Sequence, residues 1–173
     1  DFTGRLAADL IAFSADPFIL RPCPDGSALP PVNFRPILAR CIDDSKSDVT
    51  LAEIKSALDD PSRNAILCEI LDAFTAAIPE KLIVTIDQAE EIYTLAQGDS
   101  LEENRIAERR RQKFFALLRG CLSGSGRWKI ILSYRTEYHG RFTDGLRSGL
   151  KAAPGLVDYL LTDLTRERLK SVI

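Results

Sequence analysis

Lys81-Leu82-Ile83-Val84-Thr85-Ile86-Asp87-Gln88-Ala89-Glu90-Glu91 is the stretch that decides the fold. Residues 82–86, rich in β-branched side chains, predict a short strand buried on both faces. The strand runs directly into three carboxylates. It ends at the edge of a sheet, so Asp87 falls at its carboxyl tip, and in open α/β sheets that edge is where ligands bind. A carboxylate placed there suits a hard divalent cation, which takes oxygen ligands. Acidic residues after an apolar run also cap a following helix, because negative charge is favourable at a helix N-terminus. Taken alone, the run is open to both meanings.

A second stretch bears on the choice. Trp128-Lys129-Ile130-Ile131-Leu132-Ser133 predicts another buried strand, followed by Tyr134-Arg135. One helix separates it from the first, so the two strands can lie side by side with their polar tips at one edge. An arginine at that edge can sense or stabilise a transferring phosphoryl group. Ser133 and Arg135 would equally serve to satisfy loop carbonyls at a strand end.

Around these strands the periodicity predicts helices over 3–13, 34–43 (capped by Asn33), from 51 (Thr50 and Glu53 forming a capping box) and after Asp60-Pro61. In the last of these, Ile66, Leu67, Ile70, Leu71, Phe74 and Ile78 repeat at helical spacing up to Pro79. A turn or two of helix is expected over 89–96, then a loop at 97–100 and a long helix over 101–122. The charges crowding 102–113 have salt-bridge spacing and suit a solvated face, or an arginine cluster that meets a partner. Residues 17–21 are a strand candidate, 22–31 a loop and 120–126 a glycine-serine turn. Residues 136–155 are expected to be loop with a short helix over 143–152. A third central strand is expected over 157–161, and Thr165 then caps a terminal helix. Strands separated by helices predict an α/β fold: a three-layer parallel sheet with helices on both faces, in one domain spanning 1–173.

Composition narrows the function classes. With 173 residues, 45% hydrophobic and 28% charged, the chain can bury a real core. A net charge of −2 gives no electrostatic case for general nucleic-acid binding. No apolar run is long enough to cross a bilayer and no signal peptide opens the chain. Cysteines 23, 41, 68 and 121 match no zinc spacing and suggest a reducing, cytoplasmic setting. Cys68 is expected to be a small core residue. The single histidine, His139, cannot build a multi-histidine metal site. The absence of methionine and the unfinished amphipathic stretch at 169–173 suggest a piece cut from a larger protein.

The acidic run resembles the Walker B element of the STAND branch of P-loop ATPases, four apolar residues followed by Asp-Gln-x-Glu-Glu. Asp87, Gln88, Glu90 and Glu91 fit it, with Ala89 where an aromatic is more usual. Ser133, Arg135 and Glu137-Tyr138 are similar to the family's sensor strand. Ile19-Leu20-Arg21-Pro22 resembles the strand-to-loop after its P-loop helix, and Leu161 to Leu169 resembles the lead into its helical lid, so that 165–173 would begin the lid helix. The match spans about residues 17–173. One departure is large: no Gly-Lys pair occurs in these residues, so the Walker A loop that cradles phosphates was either lost at a cut or the module is degenerate, and this piece alone is expected to bind ATP poorly and be inactive. In the family that loop lies upstream of the helix preceding Arg21, at or before residue 1.

The resemblance implies ATP/ADP and Mg²⁺ as cofactors. Asp87 would hold the metal, Glu90 or Glu91 would polarise the attacking water (with Glu91 slightly preferred), Gln88 and Ser133 would hydrogen-bond within the site, and Arg135 would read the γ-phosphate. It further implies a slow ATPase switch that self-associates through this domain. Effector and sensor domains of the same larger protein would serve signalling, cell death or antiviral defence. Two alternatives stand beside it: an AAA-type ATPase acting on DNA, and a degenerate, non-catalytic scaffold for oligomerisation.

Overall fold

The structure, a computed structural model, describes residues 1–20, 22, 28–94, 100–122, 127–148 and 157. Within them run α1 (Phe2–Phe13), α2 (Phe34–Ile42), α3 (Leu51–Asp59), α4 (Ile66–Ala76), β1 (Leu82–Ile86), α5 (Glu91–Thr94), α6 (Leu101–Cys121), β2 (Trp128–Leu132) and α7 (His139–Arg147), with a 3₁₀ turn at Thr136–Tyr138. The protein is thus α/β.

β1 and β2 pair in parallel, from Leu82 opposite Trp128 to Ile86 opposite Leu132. The crossover between them is α5 and α6, as a parallel pair requires. Alternation along the strands sends Leu82, Val84 and Ile86, with Trp128, Ile130 and Leu132, toward the helices. Ile83, Thr85, Lys129 and Ile131 stand on the opposite face, exposed. The expected burial on both faces is therefore corrected for the described residues, because the helices there cover one face of the two strands. The described architecture is a two-stranded sheet and one helical layer, where three layers were expected.

Capping decides where several helices begin. Thr50 Oγ1 accepts from the Glu53 amide at 3.3 Å while Glu53 Oε2 accepts from the Thr50 amide at 2.8 Å, closing the expected box on α3. Lys46 reaches the same carboxylate, and this contact, with the Thr50 donors, draws the Glu53 carboxyl down to about 2. Asn33 caps α2 as expected. Ser100 and Glu103 make a second box at the start of α6, one that the sequence pass did not pick out.

The helical side has two apolar clusters. The larger joins α1 to α4 around Phe34, Leu38, Ile54, Leu58, Ile70 and Phe74, with Trp128 from β2. Trp128 Nε1 donates to Asp72 Oδ1 at 2.6 Å, so its polar edge is satisfied where the ring is buried. The smaller cluster gathers Tyr93, Phe114, Phe115, Phe142 and Leu146 beneath the strand tips. Phe2 touches both and meets Phe114 edge-to-face at 4.7 Å.

Within the turn or two of helix expected over 89–96, the described residues form one turn, Glu91–Thr94, and residues 95 and 96 lie outside them. Two further expectations are revised. The helix expected over 143–152 begins earlier, at His139, because Phe142 and Leu146 share one buried face with i, i+4 spacing. The strand expected over 17–21 is reduced to a single antiparallel bridge between Phe18 and Val32. Arg21, the loop from 97, the turn at 123–126, the third strand after Val157 and the terminal helix from Thr165 lie outside the described residues. Among the described residues no helix is long and apolar enough to cross a membrane.

Candidate functional site at the strand tips

Where the ladder ends, the segments that follow β1 and β2 stay stapled together. The Ser133 amide donates to Ile86 O at 3.0 Å and the Ala89 amide donates to Ser133 O at 2.8 Å. Between these two bonds the chain has to turn sharply, and Gln88 does so with φ 50°. This is left-handed backbone that a residue with a Cβ enters only at a cost. Strain of this kind persists where surrounding bonds over-determine it, and functional sites collect it.

The staple sets two side chains against each other. Ser133 Oγ donates to Asp87 Oδ1 at 2.7 Å, and the Gln88 amide donates to the same oxygen at 2.9 Å. Oδ2 takes no hydrogen bond among the described residues. Asp87 is thus an oriented carboxylate with one oxygen engaged and the other available, at the edge where the sequence placed it.

The adjacent glutamates part company. Glu91 pairs with Arg5 of α1, Oε2 to Nη1 at 2.8 Å, in a bridge exposed to solvent. Glu90 turns inward and is only 7% exposed. Its Oε1 meets Arg135 Nε at 3.3 Å, and its Oε2 is buried with no hydrogen-bond partner among the described residues. Arg135 itself stands out from β2 with its side chain 70% exposed, and its Nη1 lies 3.8 Å from Glu137 Oε1.

A cleft of about 670 Å³ opens beside these tips. One wall is α1, through Phe2, Arg5, Leu6, Leu10 and Phe13; the other is the whole length of β1, continuing into Asp87, Gln88, Ala89 and Glu91. Arg110 of α6 closes the polar end. The cleft is therefore largely apolar in its lining and carries two arginines, Arg5 and Arg110, and four carboxylates, Asp1, Asp9, Asp87 and Glu91. Of the six residues singled out from the sequence, Asp87, Gln88 and Glu91 line it. Ser133 reaches it through Asp87, whereas Glu90 and Arg135 form a separate pair at the same edge.

Sequence reasoning missed Arg5 and Arg110. Nothing local marks either one: Arg5 sits on a weak amphipathic helix and Arg110 within a charged run. Arg111 next to it lies over the Tyr93 ring at 5.0 Å, and Arg141 lies over it at 5.5 Å, which ties α5, α6 and α7 together by cation–π contact. Thiolate chemistry is disfavoured in the core: burial first of all pushes the Cys121 thiol up to about 12.

The donor set at the tip suits a magnesium ion bound with a phosphorylated ligand. Such an ion takes one or two protein carboxylates and completes its shell with water and phosphate oxygens. Asp87, with Ser133 beside it, offers that much and no more. Among the described residues no group of three or more His, Cys, Asp or Glu side chains gathers to hold a metal by itself.

No curated protein matches the chain. No solved structure matches it either. A family model does match, over residues 31–173, a span that takes in both strands and every residue of the tip from Asp87 to Arg135. The chain belongs to the family described as Novel STAND NTPase 1.

Proposed function

We propose that the intact protein is a nucleotide-dependent switch that binds ATP or ADP with Mg²⁺ and hydrolyses ATP slowly. In this reading residues 1–173 belong to one three-layer P-loop NTPase domain, with the Walker B strand at 82–87, the sensor strand at 128–135 and the lid helix starting at 165. The domain would self-associate in its ATP state, in the cytoplasm, coupling sensor and effector domains in signalling or antiviral defence.

The observation that carries the proposal is the 2.7 Å bond between Ser133 and Asp87 across two parallel strands, beside a cleft that Glu91 also lines. Mg²⁺ held by Asp87 would supply charge neutralisation to the phosphates. Glu91 faces the cleft and is the residue to orient or deprotonate an attacking water. To do so it must leave Arg5, and the solvent-exposed setting makes that bridge cheap to break. Arg5 and Arg110 stand among four lining carboxylates, so a polyphosphate would meet these two guanidinium groups with its own charge offset by Mg²⁺.

ATP turnover by the full-length protein with Mg²⁺ tests this. Asp87→Ala and Glu91→Gln are each expected to lower kcat by about 10²-fold or more. Glu91→Gln should still bind ATP. A native protein that neither binds nor turns over ATP would point instead to the scaffold reading.

A further inference from the structure

We propose that Glu90 is a positioning residue that grips the Nε edge of Arg135 and so aims its remaining Nη at the terminal phosphate of a bound nucleoside triphosphate. The proposal rests on the nucleotide-switch reading and assigns the two adjacent glutamates different tasks.

The burial pattern separates them. Glu91 lines the cleft and meets solvent, as a residue that handles water must. Glu90 is not among the residues that line the cleft; it is buried, and its backbone carbonyl accepts from the Tyr93 and Thr94 amides. A carboxylate so buried is shielded from water. Its one described cationic contact is Arg135 Nε at 3.3 Å.

The pair is placed to close into an arginine fork. Guanidinium and carboxylate match in two parallel N–H···O bonds, made by Nε and the Nη on its own side. Here Oε1 lies 3.3 Å from Nε as an ion pair, while Oε2 is buried without a hydrogen-bond partner among the described residues. A buried oxygen left in that state is costly, so a small rotation of the exposed guanidinium that closes both bonds is favoured. With that edge held, the remaining Nη is left for an incoming anion, and among the described residues a 3.8 Å approach to Glu137 competes for it. An anion arriving at the edge marked by Asp87 and Ser133 meets an arginine already oriented. The side-chain entropy of ordering a long cation is then spent in folding and not in binding.

The experiment measures triphosphate preference in the full-length protein. The probes are ADP and the β,γ-imido analogue of ATP, titrated with Mg²⁺ into the native protein, Glu90→Gln, Arg135→Ala, Arg135→Lys and the double variant Glu90→Gln/Arg135→Ala. Glu90→Gln is expected to lose about tenfold in affinity for the triphosphate, the scale of one charge-assisted contact, with ADP affinity unchanged. Arg135→Lys keeps the charge without the fork and should lose the same preference. The double variant should be no worse than Arg135→Ala. A Glu90→Gln variant that keeps the native preference overturns the clamp, as does a loss that adds in full to that of Arg135→Ala. A drop in unfolding temperature with the preference intact likewise makes Glu90 structural. If the native protein binds neither probe, the nucleotide reading falls and the clamp falls with it; native discrimination that Glu90→Gln leaves unaltered removes the clamp alone.

Discussion

Gln88 concentrates the chemistry of the tip in one backbone angle. Its φ of 50° lets the Ala89 amide reach Ser133 O and brings the Gln88 amide onto Asp87 Oδ1. Glycine would enter this conformation freely but would leave the unfolded chain with more freedom to lose. The two effects oppose, so Gln88→Gly should change the unfolding free energy by no more than about 0.5 kcal/mol. A β-branched residue has no such compensation: Gln88→Ile should lose roughly 1–2 kcal/mol through the left-handed penalty. Chemical denaturation of the two variants checks the pair, and an Ile variant as stable as the native protein would mean that the turn carries no strain. The parting of Glu90 and Glu91 belongs to the same scale and could not be read from sequence. Neighbouring residues of one type differ only in what the fold brings to them: Arg5, 86 positions away from Glu91, and Arg135 for Glu90.

At the scale of elements, what the sequence made legible was whatever is settled within one turn. The capping box of α3 needs only Thr50 and Glu53, and Asn33 before Phe34 is equally local. That β1 and β2 lie side by side with their tips at one edge followed from two apolar runs separated by helix, whereas the register itself was not legible. α7 was harder, because Gly140 and Gly145 interrupt the pattern that Phe142 and Leu146 establish. Those two clusters of contact also show how differently glycines in helices are used. A Cβ at Gly120 in α6 would stand 2.3 Å from Asn64 O and 3.0 Å from its carbonyl carbon, both backbone atoms just before α4. That close crossing cannot relax by a rotamer change. Gly120→Ala should therefore destabilise by about 1–3 kcal/mol, the range for overpacking. At Gly140 a Cβ meets nothing within 4 Å, so Gly140→Ala should gain up to about 1 kcal/mol from helix propensity. Thermal unfolding of both variants gives opposite signs if the helix crossing is as described, and two gains would place α6 farther from α4.

For the molecule as a whole, the sheet poses the open physical question. Two parallel strands are marginal by themselves, and all-parallel sheets are found with both faces covered. Here Ile83 is 62% and Ile131 50% exposed, side by side with Thr85 on a face that the described helices do not touch. The apolar residues on this face misled the sequence reading, since a run such as Leu-Ile-Val-Thr-Ile carries no mark of which side is covered. A three-layer domain would bury that face beneath a second set of helices in the full-length protein. The two cases differ in what a charge there costs. An exposed position tolerates lysine within about 0.5 kcal/mol, whereas a covered one must desolvate the ammonium or expel it, at several kcal/mol. Ile131→Lys is the better probe of the two, because β2 lies at the edge where the sheet would continue if further strands pair with it. In the full-length protein this substitution should lower the unfolding temperature by several degrees, while Lys129→Ile, two residues back on the same face of the strand, reports whether the covering layer accepts an apolar side chain in place of a charged one. Native-like stability of Ile131→Lys would leave the sheet with one open face, and a nucleotide site built at its tips would then rest on the single helical layer described.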